Sequence, residues 1–203
     1  ECSFHDTLTA LDVAKILGKI YADWDDPLYL KYLKQFDLPE KKKIKEYSRG
    51  MKMKLGIAAA LSHHPDLLIL DEPTSGLDPV IREEILDIFL EFIQDEEHSI
   101  LLSSHITSDL DKIADYLTFI HEGKIVLSRS KDEILDDMGI LKCSLEEFDA
   151  LDKSSFLTYR RYQFGCEILI KDKMNFIARH PDMIVDPVST ESVMVFYARG
   201  KTV

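Results

Sequence analysis

The sequence predicts an α/β protein in which a parallel sheet stands between a helical first third and a small α+β tail. Three observations carry that expectation. Amphipathic, helix-spaced patterns fill the first sixty-odd residues. From Leu67 the pattern becomes a short apolar run, an amphipathic stretch and a second apolar run, the signature of a βαβ crossover in a parallel sheet. After Gly139 the alternation of strands and helices restarts on a smaller scale. The expected segments are therefore 1–63, 64–139 and 140–203.

Each element has its own signal. Thr9 followed by Asp12, ahead of Val13, Ile16, Leu17 and Ile20, has the form of a capping box opening a helix. Pro27 starts a second helix through about Phe36, Pro39 a third over 39–46, and a fourth runs over 49–63. Leu67–Asp71 is the first strand. Pro79 suits the first turn of the crossover helix, where Ile81, Ile85, Ile88, Phe89, Phe92 and Ile93 share one face. A second strand covers 99–104 and a helix 107–114. Residues 116–121 and 124–128 read as a hairpin turning at Glu122-Gly123, and Ser130 caps a helix to Met138. The tail is expected to hold helices over 145–151, 173–180 and 190–198, with strands near 156–162 and 166–170.

Composition narrows the class. No stretch approaches the roughly 18 uninterrupted apolar residues needed to cross a bilayer. Cys2, Cys143 and Cys166 have no metal spacing, and an odd, sparse set reads as reduced thiols used for packing. A net charge of -12 repels polyanions and excludes a general nucleic-acid-binding surface. The charge is uneven: residues 26–54 carry nine Lys or Arg against four acids, read as a solvated helical face ahead of an anion-attracting one. The chain opens on Glu1 with no signal-peptide pattern, so its natural N-terminus is expected to lie upstream.

The chemistry-bearing residues stand at strand and helix ends. An apolar strand ending in Asp71-Glu72 places two carboxylates at the carboxyl edge of a parallel sheet, where open α/β folds bind ligands. There Asp71 suits the water shell of Mg²⁺ and Glu72 suits an attacking water, while a bare capping pair is the plainer alternative. His105 directly follows the next apolar strand; a lone histidine there is more often a satisfied structural residue, while an imidazole can also donate to a phosphate oxygen and exchange protons at neutral pH. Ser48 and Gly50, just ahead of a helix, offer a hydroxyl and backbone N–H groups to an anion, or simply cap the helix. His5, His63, His64, His98, His121 and His180 have no comparable context. The chain contains no G-x-x-x-x-G-K-[ST] loop.

The run LDEPTSGLDP over 70–79 resembles the Walker B and D-loop segment of ABC-type ATPases, and few other families share it. Tyr47-Ser48-Arg49-Gly50-Met51 lies where that family has its LSGGQ signature, with Tyr47, Arg49 and Met51 departing from the pattern. His105 matches its switch histidine. The stretches 52–61 and 190–197 resemble ATP-binding subunits of bacterial type 2 ABC exporters, many of which serve multidrug or antibiotic resistance.

This resemblance, over about residues 1–140, implies the C-terminal part of a phosphate-loop NTPase. A RecA-like parallel sheet would be joined to an ABC helical subdomain over 1–63 and an α+β appendage. It implies ATP and Mg²⁺ as cofactors, catalysis by Glu72 and His105, and nucleotide contacts from Ser48, Arg49, Gly50 and Asp78, with Asp71 on the metal. The signature segment and Asp78 would serve a site shared with a second ATP-binding subunit. A membrane-spanning permease is the other implied partner, which places the protein on the cytoplasmic face of the cell membrane. The Walker A loop and the adenine-stacking aromatic are expected upstream of Glu1, with the Q-loop at or just before it, so this stretch alone is expected to bind and turn over little ATP. The competing function is a non-catalytic regulatory module donating Ser48 and Gly50 to a full-length partner's ATP. An ABC ATPase of DNA repair or translation is disfavoured by the acidic charge and by the lack of a coiled-coil insertion or duplicated motifs.

Overall fold

In the computed structural model, which describes residues 4–202, the chain divides after Ile106 into two units. Cys2 and the edge of the expected Q-loop lie outside the described residues.

The first unit begins with α1 (Ala10–Leu17), α2 (Asp26–Gln35) and α3 (Arg49–Leu61). Thr9 and Asp12 form the expected capping box: the Thr9 side chain accepts the Asp12 N–H at 3.2 Å and the Asp12 carboxylate accepts the Thr9 N–H at 3.1 Å. Hydrogen bonds from the Thr9 side chain and backbone hold the Asp12 carboxyl below its ordinary range. Asp25 caps α2 by accepting the Leu28 N–H at 2.8 Å, and Pro27 sits in its first turn. Tyr29 and Leu33 of α2 are fully buried with Leu55 and Ala58 of α3, and the Tyr29 hydroxyl donates to the Ala10 carbonyl at 3.1 Å. These contacts tie the three helices into one core.

The helix expected over 39–46 is reduced to one 3₁₀ turn, Ile44–Glu46. The backbone here bonds elsewhere: Ile44 N–H donates to Leu8 at 2.9 Å, Lys45 N–H to Asp6 at 3.0 Å, and Lys43, just before the turn, bridges Thr9. Three consecutive lysines at 41–43 supply no apolar face to hold a helix against the core.

The βαβ crossover follows as β1 (Leu67–Asp71), α4 (Pro79–Phe92) and β2 (Ser99–Ser103). The strands are parallel, with Leu67 opposite Ser99 and Asp71 opposite Ser103. Ile85, Leu86, Ile88 and Phe89 of α4 are buried. Lys54, itself buried, pairs with Glu84 and so fastens α3 to α4. The opposite sheet face is open: Ile69 is 72% exposed and Leu101 62%.

The second unit contains α5 (Thr107–Ile113), the hairpin β3 (Tyr116–His121) and β4 (Lys124–Ser130), and α6 (Lys131–Asp137), which Ser130 and Glu133 open with a capping box. The hairpin turns at Glu122 (φ 48°) and Gly123 (φ 73°), the paired positive φ of a tight two-residue turn. A five-stranded antiparallel sheet completes the unit, built from β5 (Gly139–Cys143), β6 (Phe156–Arg161), β7 (Cys166–Ile170), β8 (Val185–Pro187) and β9 (Lys201–Thr202). Their spatial order is β8-β5-β7-β6-β9. Helices α7 (Leu145–Ala150), α8 (Lys173–Arg179) and α9 (Thr190–Arg199) accompany it. Phe148 of α7 and Phe176 of α8 join Leu141, Phe156, Cys166, Ile168 and Ile170 in one core, with Cys143 packed against it. Strands β5, β8 and β9 were not expected from the sequence; the last two hold three and two residues, too few for an alternation to register.

Candidate functional site

The parallel register of β1 and β2 decides what meets at their carboxyl ends. Asp71 lies opposite Ser103, so the residues just beyond, Glu72 and His105, leave the sheet at the same edge. The Ser103 hydroxyl donates to Asp71 Oδ1 at 2.5 Å and accepts the Glu72 N–H at 3.1 Å. The same N–H also reaches the Ser103 carbonyl at 3.1 Å. Glu72 has φ 47°, a left-handed backbone rare for a residue with a Cβ. That conformation ends the strand abruptly, and the chain turns through buried Pro73 and Thr74.

Turning the chain there points the Glu72 carboxylate toward His105, whose Nδ1 lies 2.7 Å from Oε2. The angles fall short of an aligned hydrogen bond, so Oε2, screened from solvent as an atom, has no hydrogen-bond donor among the described residues. The two side chains remain reachable, Glu72 at 36% and His105 at 67% exposure. A carboxylate oxygen that is shielded yet lacks a donor fits a water supplied from outside, because a buried acceptor without a partner is costly. Asp71 is exposed, and Ser103 engages its Oδ1. One exposed carboxylate suits the outer water shell of Mg²⁺, which keeps several waters and needs few protein ligands.

The signature-like segment and the stretch after Glu72 meet separately. Ser48 caps α3, its hydroxyl accepting the Met51 N–H at 3.2 Å, and no acid occupies the first turn of that helix. Tyr47 is buried and donates its hydroxyl to the Pro39 carbonyl at 2.7 Å, so the large residue at this place anchors the segment. The Arg49 guanidinium rests on Gly76, which has φ 68°; a Cβ at 76 would lie 2.9 Å from Arg49 Cζ. Gly50 faces Ile81 of α4, where a Cβ would come within 3.1 Å of Cγ2. Asp78 caps α4, accepting the N–H groups of Val80 and Ile81 at 3.1 Å each.

Of the residues singled out from the sequence, Asp71 and Glu72 thus come together through Ser103, and His105 joins them beside Glu72. Arg49 and Gly50 come together with the Gly76–Asp78 turn and the start of α4. Among the described residues no hydrogen bond or ion pair joins Ser48 to Glu72 or His105. Sequence reasoning missed Ser103; its signal was the pair of hydroxyls immediately before the histidine.

Comparison with known proteins bears on both groups. Residues 12–110 match a family model described as "AAA domain, putative AbiEii toxin, Type IV TA system". A lantibiotic transport ATP-binding protein, SrtF of Streptococcus pyogenes, is 47% identical over 93 residues, 46% of this chain and 40% of that protein. The bacitracin transport ATP-binding protein BcrA of Enterococcus faecalis is 40% identical over 125 residues, 61% of this chain and 41% of that protein. A solved structure titled "Structure of ATP binding subunit of ABC transporter" superposes with a TM-score of 0.54 at 26% identity, covering 64% of this chain and 56% of that one. The chain spans about two fifths of the length of these curated relatives.

Proposed function

We propose, from the premise that this chain is a homologue of the ATP-binding proteins of ABC transporters, that it carries the hydrolytic edge of a subunit coupling ATP hydrolysis to export through a membrane partner. The observation that carries the reading is Glu72 Oε2, shielded, without an aligned donor and 2.7 Å from His105 Nδ1 at the carboxyl end of β1. Bound Mg²⁺-ATP supplies the phosphoryl group to be cleaved and the cation that neutralises its charge. Glu72 accepts a hydrogen bond from the attacking water and holds its proton as the general base. His105 stands beside that carboxylate and would offer its ring to the γ-phosphate, and Asp71 would take the cation's water shell. Ser48, Arg49 and Gly50 hold nucleotide phosphate across a dimer with a second ATP-binding subunit, and Asp78 couples the two nucleotide sites.

In this reading residues 1–63 dock on a membrane-spanning permease, 64–139 carry the chemistry, and 140–203 are an appendage. The protein then works on the inner face of the membrane. The lantibiotic and bacitracin transport relatives support a transport role, and among the described residues no helix is long and apolar enough to cross a membrane.

The test is phosphate release by the chain extended to carry a phosphate loop, beside its Glu72→Gln version. Loss of the general base lowers turnover about 100-fold or more, and the inactive variant accumulates as an ATP-bound dimer. Wild-type turnover in Glu72→Gln sinks the catalytic assignment. An extended protein that stays inert beside its permease transfers the reading to a regulatory module donating Ser48 and Gly50.

A further inference from the structure

Ser103 is absent from every role assigned so far, yet it is the atom-level link between the two carboxylates of the site. A serine hydroxyl has one proton to give. Here that proton goes to Asp71 Oδ1 at 2.5 Å, so the oxygen is left to accept the Glu72 N–H at 3.1 Å, and the direction of the chain of bonds is fixed. A hydroxyl-to-carboxylate bond of that length is in the charge-assisted range. It engages Asp71 Oδ1 and orients Oδ2 for another partner. At the other end, the Glu72 N–H is shared between the Ser103 hydroxyl and carbonyl, which pins the left-handed turn that aims Glu72 at His105.

We propose that Ser103 is a positioning residue that sets the metal-side carboxylate and the water-activating carboxylate in one register. This rests on the hydrolytic reading of Asp71 and Glu72. Ser103 touches neither substrate nor cation in this role; it acts through its two neighbours. A strand position with an exposed side chain also tolerates one more methyl group, so threonine keeps the hydroxyl at a site that favours β-branched residues. Valine has the shape of that threonine without the donor.

The experiment therefore compares Ser103→Thr with Ser103→Val, two side chains equal in size and strand preference. In the chain as it stands, hydrogen exchange at the Glu72 amide is followed without nucleotide; exchange about tenfold faster in the valine than in the threonine variant is expected, since the N–H loses one of two acceptors. In the chain extended by a phosphate loop, the valine variant loses about tenfold or more in kcat and needs several-fold more Mg²⁺ for half-maximal rate, while KM for ATP moves less than twofold. The threonine variant stays within about twofold of wild type in each. Equal melting of the two variants shows that the fold is intact. Identical exchange, kcat and Mg²⁺ dependence in both variants overturns the proposal. Glu72→Gln, run alongside, separates the two failures: if it is inert while valine equals threonine, only the role of Ser103 falls; if it turns over normally, both fall.

Discussion

Replacing Glu72 by glycine should leave the first unit more stable than replacing it by alanine, although the residue is placed at the heart of the chemistry. A left-handed backbone costs a residue with a Cβ about 1–2 kcal/mol, and Glu72 stands at φ 47°. Glycine removes that cost but gains freedom in the unfolded chain worth about 0.5–1 kcal/mol. Alanine keeps the Cβ and hence the strain. Both substitutions remove the same contact with His105, a partly exposed pair worth at most about 1 kcal/mol, so it cancels in the comparison. Glu72→Gly is therefore expected to exceed Glu72→Ala by about 0.5–1 kcal/mol, a shift in urea midpoint of about 0.3–0.5 M at the slope usual for a unit of this size. The single tryptophan, Trp24, lies in the same unit, its indole N–H donating to Asp26 at 2.8 Å and its ring 5.1 Å from Tyr29, so its fluorescence reports the transition. An alanine variant as stable as the glycine variant refutes the claim that the turn at Glu72 is strained. Both variants lose hydrolysis on the proposed mechanism, which makes the strain a cost retained for function.

Two further outcomes are expected. Gly76→Ala meets both an unfavourable φ of 68° and the Arg49 guanidinium; it should cost about 1–2 kcal/mol, part of it recovered by adding Arg49→Ala, as read in the same urea titration. Burial pushes the Cys143 thiol up from 9.0 to about 11, with the neighbouring Cys166 and Glu147 adding to it. Because the folded thiol ionises later than the unfolded one, its contribution to stability is complete below about pH 9.0 and is lost as pH rises through about 11. Melting of the wild type should therefore fall more steeply across that window than melting of Cys143→Ser, and parallel curves would remove burial of the thiol as the cause.

The parts of the fold that were legible in the sequence are those decided within a few residues. The Thr9–Asp12 box, the Glu122-Gly123 turn and the buried stripe of α4 each follow from spacing and side-chain chemistry alone. Asp71 and Glu72 could be picked out because parallel strands end at a common edge, and His105 only by its place in the run of motifs that resembles the ABC-type ATPases. What escaped depends on contacts between distant segments. The backbone N–H groups of Ile44 and Lys45 bond to the Leu8 and Asp6 carbonyls instead of continuing a helix. Arg49 comes to rest on Gly76, and Ser103 reaches back to Asp71, through pairings that no local pattern announces. The short strands β8 and β9 exist only because neighbours in the sheet offer them hydrogen bonds.

Strands β1 and β2 pair only with each other among the described residues, and their outer face shows Ile69 and Leu101 to solvent. Parallel strands are ordinarily covered on both faces. A pair with two open edges is a template for further strands, and the mutual repulsion of molecules carrying a charge of -12 opposes such growth. Salt weakens that repulsion, the screening length shrinking to about 8 Å at physiological ionic strength, while leaving the apolar face unchanged. Solubility of the isolated chain should then decline with rising salt and rising concentration.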